Sequence, residues 1–217
     1  EVKLMVNNTY QKMFYWLFLG LVLTFVIGYA LSLNEALALK VLAIGVIPII
    51  ITELVIALLM GIRIRKMHPI TARICYCLFC IATGITFSTI FMTYSLNSLM
   101  SIFLISGIIF GCLALYGYKT NKDLGRFSTI LLVTLLIIII SSILNFLIFK
   151  SSGVELGLSA LGVLIFCGYI AYDMQKVKML IPTIGEDKAA IYGAFELYLD
   201  FINLFIRLLE LFGKRDD

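Results

Sequence analysis

The sequence is short of almost everything that makes a water-soluble surface. Asp, Glu, Lys and Arg account for 14% of its 217 residues, against 62% hydrophobic residues and a mean hydropathy of +1.07. So little polar surface cannot coat a soluble globule, and the chain reads as an integral membrane protein. A long polar segment is also lacking. The widest gap between apolar runs extends only from Val177 to Asp187, which excludes a soluble domain and makes residues 1–217 a single transmembrane domain. The two-residue alternation of barrel strands is missing too, so the spans are read as helices. No signal peptide is evident: the first apolar run is too long for one and lacks a small-residue cleavage site, so it is expected to be a retained helix. With Glu at position 1, the numbered chain is expected to start at a processed or engineered end.

What is present is a series of long apolar runs. A bilayer core of roughly 30 Å needs about 20 apolar residues per helix. Seven runs meet that length, about 12–33, 41–62, 73–94, 97–118, 127–149, 154–176 and 188–212. The gap between the third and fourth, Tyr94 to Asn97, is so short that these two helices are expected to form an antiparallel hairpin. The formal charge of +4 does not point to nucleic acid, because the basic residues sit in loops. Twelve of the seventeen Lys and Arg residues fall on the side of the N-terminus and the even-numbered loops. The positive-inside rule then places the N-terminus in the cytoplasm and, after seven spans, the C-terminus outside. Six spans with a re-entrant last segment would return the C-terminus to the cytoplasm.

Proline and histidine are scarce. Pro48 lies in the second run, where it is expected to kink the helix near Glu53, while Pro69 and Pro182 are expected in cytoplasmic loops. The single histidine, His68, is read as a solvated loop residue. Cys75, Cys77 and Cys80 form the run CYCLFC, but four converging zinc ligands are lacking, so these and Cys112 and Cys167 read as buried apolar filler. Gly107 and Gly111, four residues apart, suggest a close helix-packing face.

Against this background the ionisable groups at membrane depth stand out: Glu53, Asp173, Glu196, Asp200, Arg207 and Glu210. A charge at a helix centre costs about 2.5–3.5 kcal/mol on insertion scales, so such groups face a bundle interior, pair, or mark ion and proton pathways. Arg207 and Glu210, three residues apart near a helix end, read as an ion pair of structural origin. Asp173 and Asp200 lie on consecutive helices, although a loop from Val177 to Asp187 would place them asymmetrically about the turn. If they meet in a dry interior, the two like charges are expected to share one proton, which makes them a candidate gate or sensor. An intramembrane aspartyl protease also uses two such carboxylates, but its glycine-flanked GxGD is absent, since Asp200 follows LYL.

Several stretches carry a family likeness: RIRKM (63–67), GITFSTIF (84–91), ALYGYKTNKDL (114–124), AYDMQK (171–176) and LYLDFINLF (197–205). In that order they resemble the Bax inhibitor-1, or transmembrane Bax-inhibitor-motif, family of membrane proteins. The resemblance implies an all-α polytopic fold of seven transmembrane helices, with the last helix central and six wrapped around it. It implies a non-enzymatic, pH-sensitive calcium leak channel in which Asp173 and Asp200 form the sensor pair and Arg63 is a latch. Glu53 faces the pore, Glu196 is an additional carboxylate on the ion path, and calcium contacts Asp173, Asp200 and Glu53 transiently. No cofactor is implied, and calcium is the transported ion. The partners are the lipid bilayer, calcium ions and protons, not nucleic acid. The short GKRDD tail after Phe212 points to a bacterial plasma membrane. A proton- or sodium-coupled calcium exchanger and a non-transporting regulator that binds other membrane proteins are the alternatives.

Overall fold

The structure is a computed structural model that describes residues 2–215, except for the side chains of Val2, Lys3, Leu42, Ile44, Val46 and Ile47. The chain is all-helical, and no β-strand occurs among the described residues. Its α-helices are α1 (Val2–Ser32), α2 (Glu35–Arg63), α3 (Pro69–Thr93), α4 (Leu96–Lys119), α5 (Ser128–Leu144), α6 (Ser152–Ile184) and α7 (Glu186–Phe212). A 3-10 turn, Leu124–Phe127, leads into α5, and a π turn, Asn145–Phe149, ends it. Among the described residues, six helical segments are long and apolar enough to cross a membrane. The second run of the sequence, 41–62, falls on α2, where four side chains lie outside the described residues.

Helix ends follow from local chemistry. Asn34 caps α2, its Oδ1 accepting from Leu37 N at 3.0 Å. His68 is the exposed loop residue expected, and its Nδ1 also accepts from Ile70 N at 3.3 Å, capping α3. Pro69, expected in a loop, is the first residue of α3, where its missing N–H breaks no helical bond. Pro48 does not interrupt α2, and its carbonyl accepts from the Thr52 hydroxyl at 2.8 Å.

The largest departure from expectation concerns the gap 177–187. It is helical almost throughout: α6 runs on through Pro182 to Ile184, and α7 starts at Glu186. Only Gly185 lies between them, with φ +81°, a backbone region that residues bearing a Cβ adopt reluctantly. At 33 residues α6 is about 50 Å long, more than a bilayer core, so hydropathy marks where it meets lipid and not where it ends.

The helices fall into two compact units. The first contains residues 1–95 and 177–198, and within it α3 packs on α1 and on α2. Gly28 and Gly84 form the close approach here, because a Cβ on Gly28 would lie 3.1 Å from the Gly84 carbonyl oxygen. Aromatic rings fill the same seam, Phe25 meeting Phe87 edge-to-face at 5.6 Å. The second unit contains residues 96–176 and 199–214. Its small core is Leu131, Ile138 and Ile165, with Tyr169 and Tyr172 packed against them. Most of the remaining isoleucines and leucines of α5 are exposed, as a lipid-facing helix requires.

Gly107 and Gly111 do not form the expected packing face, since a Cβ on either would meet nothing within 4 Å. The close contact on α4 is one turn and a half further on. A Cβ on Gly117 would overlap the Ala171 carbonyl oxygen, which is backbone and cannot swing aside. Gly117→Ala is therefore expected to lower the detergent-solubilised melting temperature, at a cost of about 1–3 kcal/mol. Gly107→Ala should leave it unchanged or raise it; equal melting of the two variants would contradict this packing.

Candidate functional site

Asp173 and Asp200 belong to the second unit, and both are buried, 2% and 4% exposed. The one-residue turn at Gly185 reduces the expected asymmetry, since Asp173 lies twelve residues before it and Asp200 fifteen after. Within this unit the antiparallel register of α6 and α7 is set by Ser159 with Glu210 and by Gly162 with Arg207. Extended along the helices, that register leaves Asp200 about one helical turn, ~6 Å, from the level of Asp173.

Each aspartate is held by its surroundings. Lys176 Nζ lies 3.2 Å from Asp173 Oδ1, one turn along α6, and also 5.5 Å from the centre of the Tyr172 ring. A buried carboxylate with a cation at hydrogen-bond distance avoids much of the cost of an isolated charge. Gln175 fixes this part of α6 to the connector before α5. Its Oε1 accepts from Leu124 N at 2.9 Å, and its Nε2 donates to the Lys122 carbonyl at 2.8 Å. Around Asp200, Phe201 packs edge-to-face on Phe103 at 5.4 Å and on Phe110 at 5.6 Å, anchoring α7 to α4.

Glu53, Arg63 and Glu196 belong to the first unit. Arg63 is the exposed last residue of α2, and Glu196 is half-buried. Glu53 lies beside the Thr83 hydroxyl, and its Oε1 is buried without a hydrogen bond. Near it is a group of hydroxyls that sequence reading passed over. Thr24 Oγ1 donates to the Cys80 carbonyl at 3.0 Å and lies 2.5 Å from the Tyr198 hydroxyl. Thr24 has one proton to give, so Tyr198 donates to Thr24. Tyr198 also neighbours Thr83 and Glu53, and its ring meets Tyr76 edge-to-face at 5.9 Å. Tyr76 in turn donates to the Trp16 carbonyl at 2.9 Å. The visible signal was tyrosine itself, because a tyrosine at membrane depth must find a partner for its hydroxyl.

The remaining candidates are less central. Cys80 is buried, Cys75, Cys77 and Cys167 are half-buried, and all are free thiols. Cys112 is exposed and so is not the buried filler expected, because an apolar side chain needs no protein cover in lipid. Arg207 pairs with Glu210 at 2.9 Å. Among the described residues no three His, Cys, Asp or Glu side chains converge as a metal cage.

The hydroxyl pair supports a direct test. Thr24→Val and Tyr198→Phe each remove one end of a buried hydrogen bond, and each is expected to cost about 1–2 kcal/mol. In a double-mutant cycle read by thermal or denaturant unfolding, their coupling should reach about 1 kcal/mol. Strict additivity would show that the two hydroxyls do not support one another.

Comparison with known proteins agrees with these motifs and helices. The family model described as "Inhibitor of apoptosis-promoting Bax1" matches residues 6–217. The chain is 36% identical to Inner membrane protein YbhL of Escherichia coli (strain K12), over 96% of this chain and 92% of that protein. It is 32% identical to a protein of Borreliella burgdorferi, over 96% and 93% of the two chains. With a membrane protein of Streptococcus pyogenes serotype M1 the identity is 34%, over 76% and 73%. Matched over nearly its whole length, this multi-pass membrane protein belongs to the Bax inhibitor family.

Proposed function

We propose that this chain is a pH-sensitive, passive calcium leak channel of a bacterial inner membrane, gated by protonation of Asp173 and Asp200. The observation that carries this reading is the burial of two carboxylates in one unit of an otherwise apolar helical membrane protein, with Lys176 as an ionic partner of Asp173. Placing such groups at membrane depth is costly, and ion and proton pathways are where that cost is met. Calcium favours several hard oxygen ligands. The oxygen ligands of this reading are the carboxylates of Glu53, Asp173 and Asp200, with Glu196 half-buried on α7. In this reading Arg63 is the latch on the aspartate pair.

The proposed architecture is one membrane domain of seven spans, the last of them central. In support, 78% of an 18-residue apolar stretch of α7 is buried, against 17–44% of such stretches in the other spans. The N-terminus is cytoplasmic and the C-terminus outside, following the distribution of Lys and Arg. The relative named as an inner membrane protein supports the location. A leak has no reaction to catalyse, so the chain needs no enzymatic role and no cofactor.

Reconstitution into liposomes loaded with a calcium-sensitive dye tests this reading. The wild type is expected to admit calcium down its gradient at a rate that changes with pH. Asp173→Asn and Asp200→Asn should each flatten that pH dependence, and the double variant should abolish it. Flux at no pH would sink the proposal, and unchanged pH dependence in the double variant would remove the sensor role. Accumulation against a gradient, driven by pH, would assign a coupled exchanger in its place.

A further inference from the structure

Apart from the aspartates, the second unit holds a cavity of about 630 Å³ where α5 ends, α6 begins and α7 ends. Its lining combines charge and apolar surface, including Lys150, Glu155, Arg207, Glu210, Phe146 and Leu158. Sites of this size with a few placed polar groups are typical of small-ligand binding. We propose that this cavity binds the headgroup of a zwitterionic, amine-bearing phospholipid.

The walls are built before any ligand arrives. Asn145 is buried, and its side-chain amide both donates to the Ser151 carbonyl and accepts from Ser151 N, each at 3.1 Å, which closes the turn from the π segment into α6. On the opposite side, Glu210 Oε2 accepts from Ser159 at 2.5 Å and from Arg207 at 2.9 Å. That arrangement answers the charge of Glu210 within the protein. Lys150 and Glu155 differ, since among the described residues neither side chain has a hydrogen bond or ion pair. One spare cation and one spare carboxylate in one cavity match a ligand with one charge of each sign. The phosphate would lie at Lys150, within the electrostatic reach of Arg207 and the α6 N-terminus, and the ammonium at Glu155.

The backbone at Lys150 supports the assignment independently. It is the one non-glycine residue with positive φ among the described residues, at φ 48° and ψ 37°. A residue with a Cβ is strained there, and glycine is not. Strain kept at a position whose side chain ends in a free ammonium points to use of that ammonium. A π turn, a form associated with functional sites, leads directly into it.

The apolar surroundings identify a lipid as the source of the headgroup. Phe146 lines the cavity and is 77% exposed, and Leu147 beside it is 63% exposed. Large apolar side chains bordering a charged cavity in a membrane protein suit a ligand that is apolar at one end and zwitterionic at the other.

Native mass spectrometry of the full chain in mild detergent, titrated with phosphatidylethanolamine or phosphatidylcholine, tests the proposal. The wild type should retain phosphatidylethanolamine about tenfold more strongly, a difference of ~1.4 kcal/mol, because the methylated headgroup has no N–H for Glu155. Glu155→Gln should reduce that preference to about twofold or less. Lys150→Gly relieves the left-handed strain, so the fold is spared, and should weaken both lipids by about tenfold. Equal retention of the two lipids by the wild type, or variants that bind as the wild type does, would overturn the proposal. Displacement of the lipid by equimolar soluble phosphoethanolamine would also overturn it, by making a water-soluble phosphate ester the ligand.

Discussion

The bilayer core supplies no water, so polar atoms placed there depend on other atoms of the protein for their partners. That constraint underlies the side-chain bonds that join helices remote in sequence. Thr24 on α1 reaches Cys80 on α3 and Tyr198 on α7, and Tyr76 on α3 reaches back to Trp16 on α1. Ser159 on α6 and Arg207 on α7 converge on Glu210. Each such bond is modest, about 0.6–2 kcal/mol in membranes, yet each fixes the rotation of a helix about its axis. Apolar packing alone does this weakly, because a leucine is as well accommodated by a lipid tail as by another leucine.

The same constraint explains why α7 differs in composition from the other helices. Exposed spans such as α5 carry isoleucine and leucine almost without interruption, since most of their surface faces lipid. Helix α7, mostly buried, carries Glu196, Asp200, Asn203 and several rings, and Asn203 finds its partner within the helix, donating to the Leu199 carbonyl at 2.8 Å. Phe195 meets Phe79 and Phe201 meets Phe103 and Phe110, all edge-to-face, an arrangement that orients a ring where dispersion alone would let it turn.

Hydropathy made the helices legible, because an apolar run of spanning length is seldom anything but a membrane helix. It did not reveal the ends of α6, since the residues from Val177 to Ile184 are helical without being uniformly apolar. Pro69 and Pro182 looked like loop markers, but the first opens α3 and the second sits in the last turns of α6. Spacing misled at Gly107 and Gly111, where two glycines on one face have no neighbour to admit, while the isolated Gly117 presses on Ala171. Asp173 and Asp200 were legible as anomalies, charged residues in apolar helices. The hydroxyl group around Tyr198 was not, because threonine and tyrosine are unexceptional in such helices and their partners lie 56 and 174 residues away.

The single-residue connection at Gly185 limits how α6 and α7 can move. A longer loop would provide slack, letting one helix slide along the other by a turn and exchange one set of side-chain neighbours for the next. One glycine between two helices provides almost none, and Val177 already packs where a Cβ on Gly193 would sit. Axial sliding of the hairpin is therefore closed off near its turn, and what remains is rotation of each helix about its own axis or splaying at the far end. A carboxylate on either helix can then change its company by turning away from it or by splaying with its helix, a motion that leaves the backbone hydrogen bonds intact.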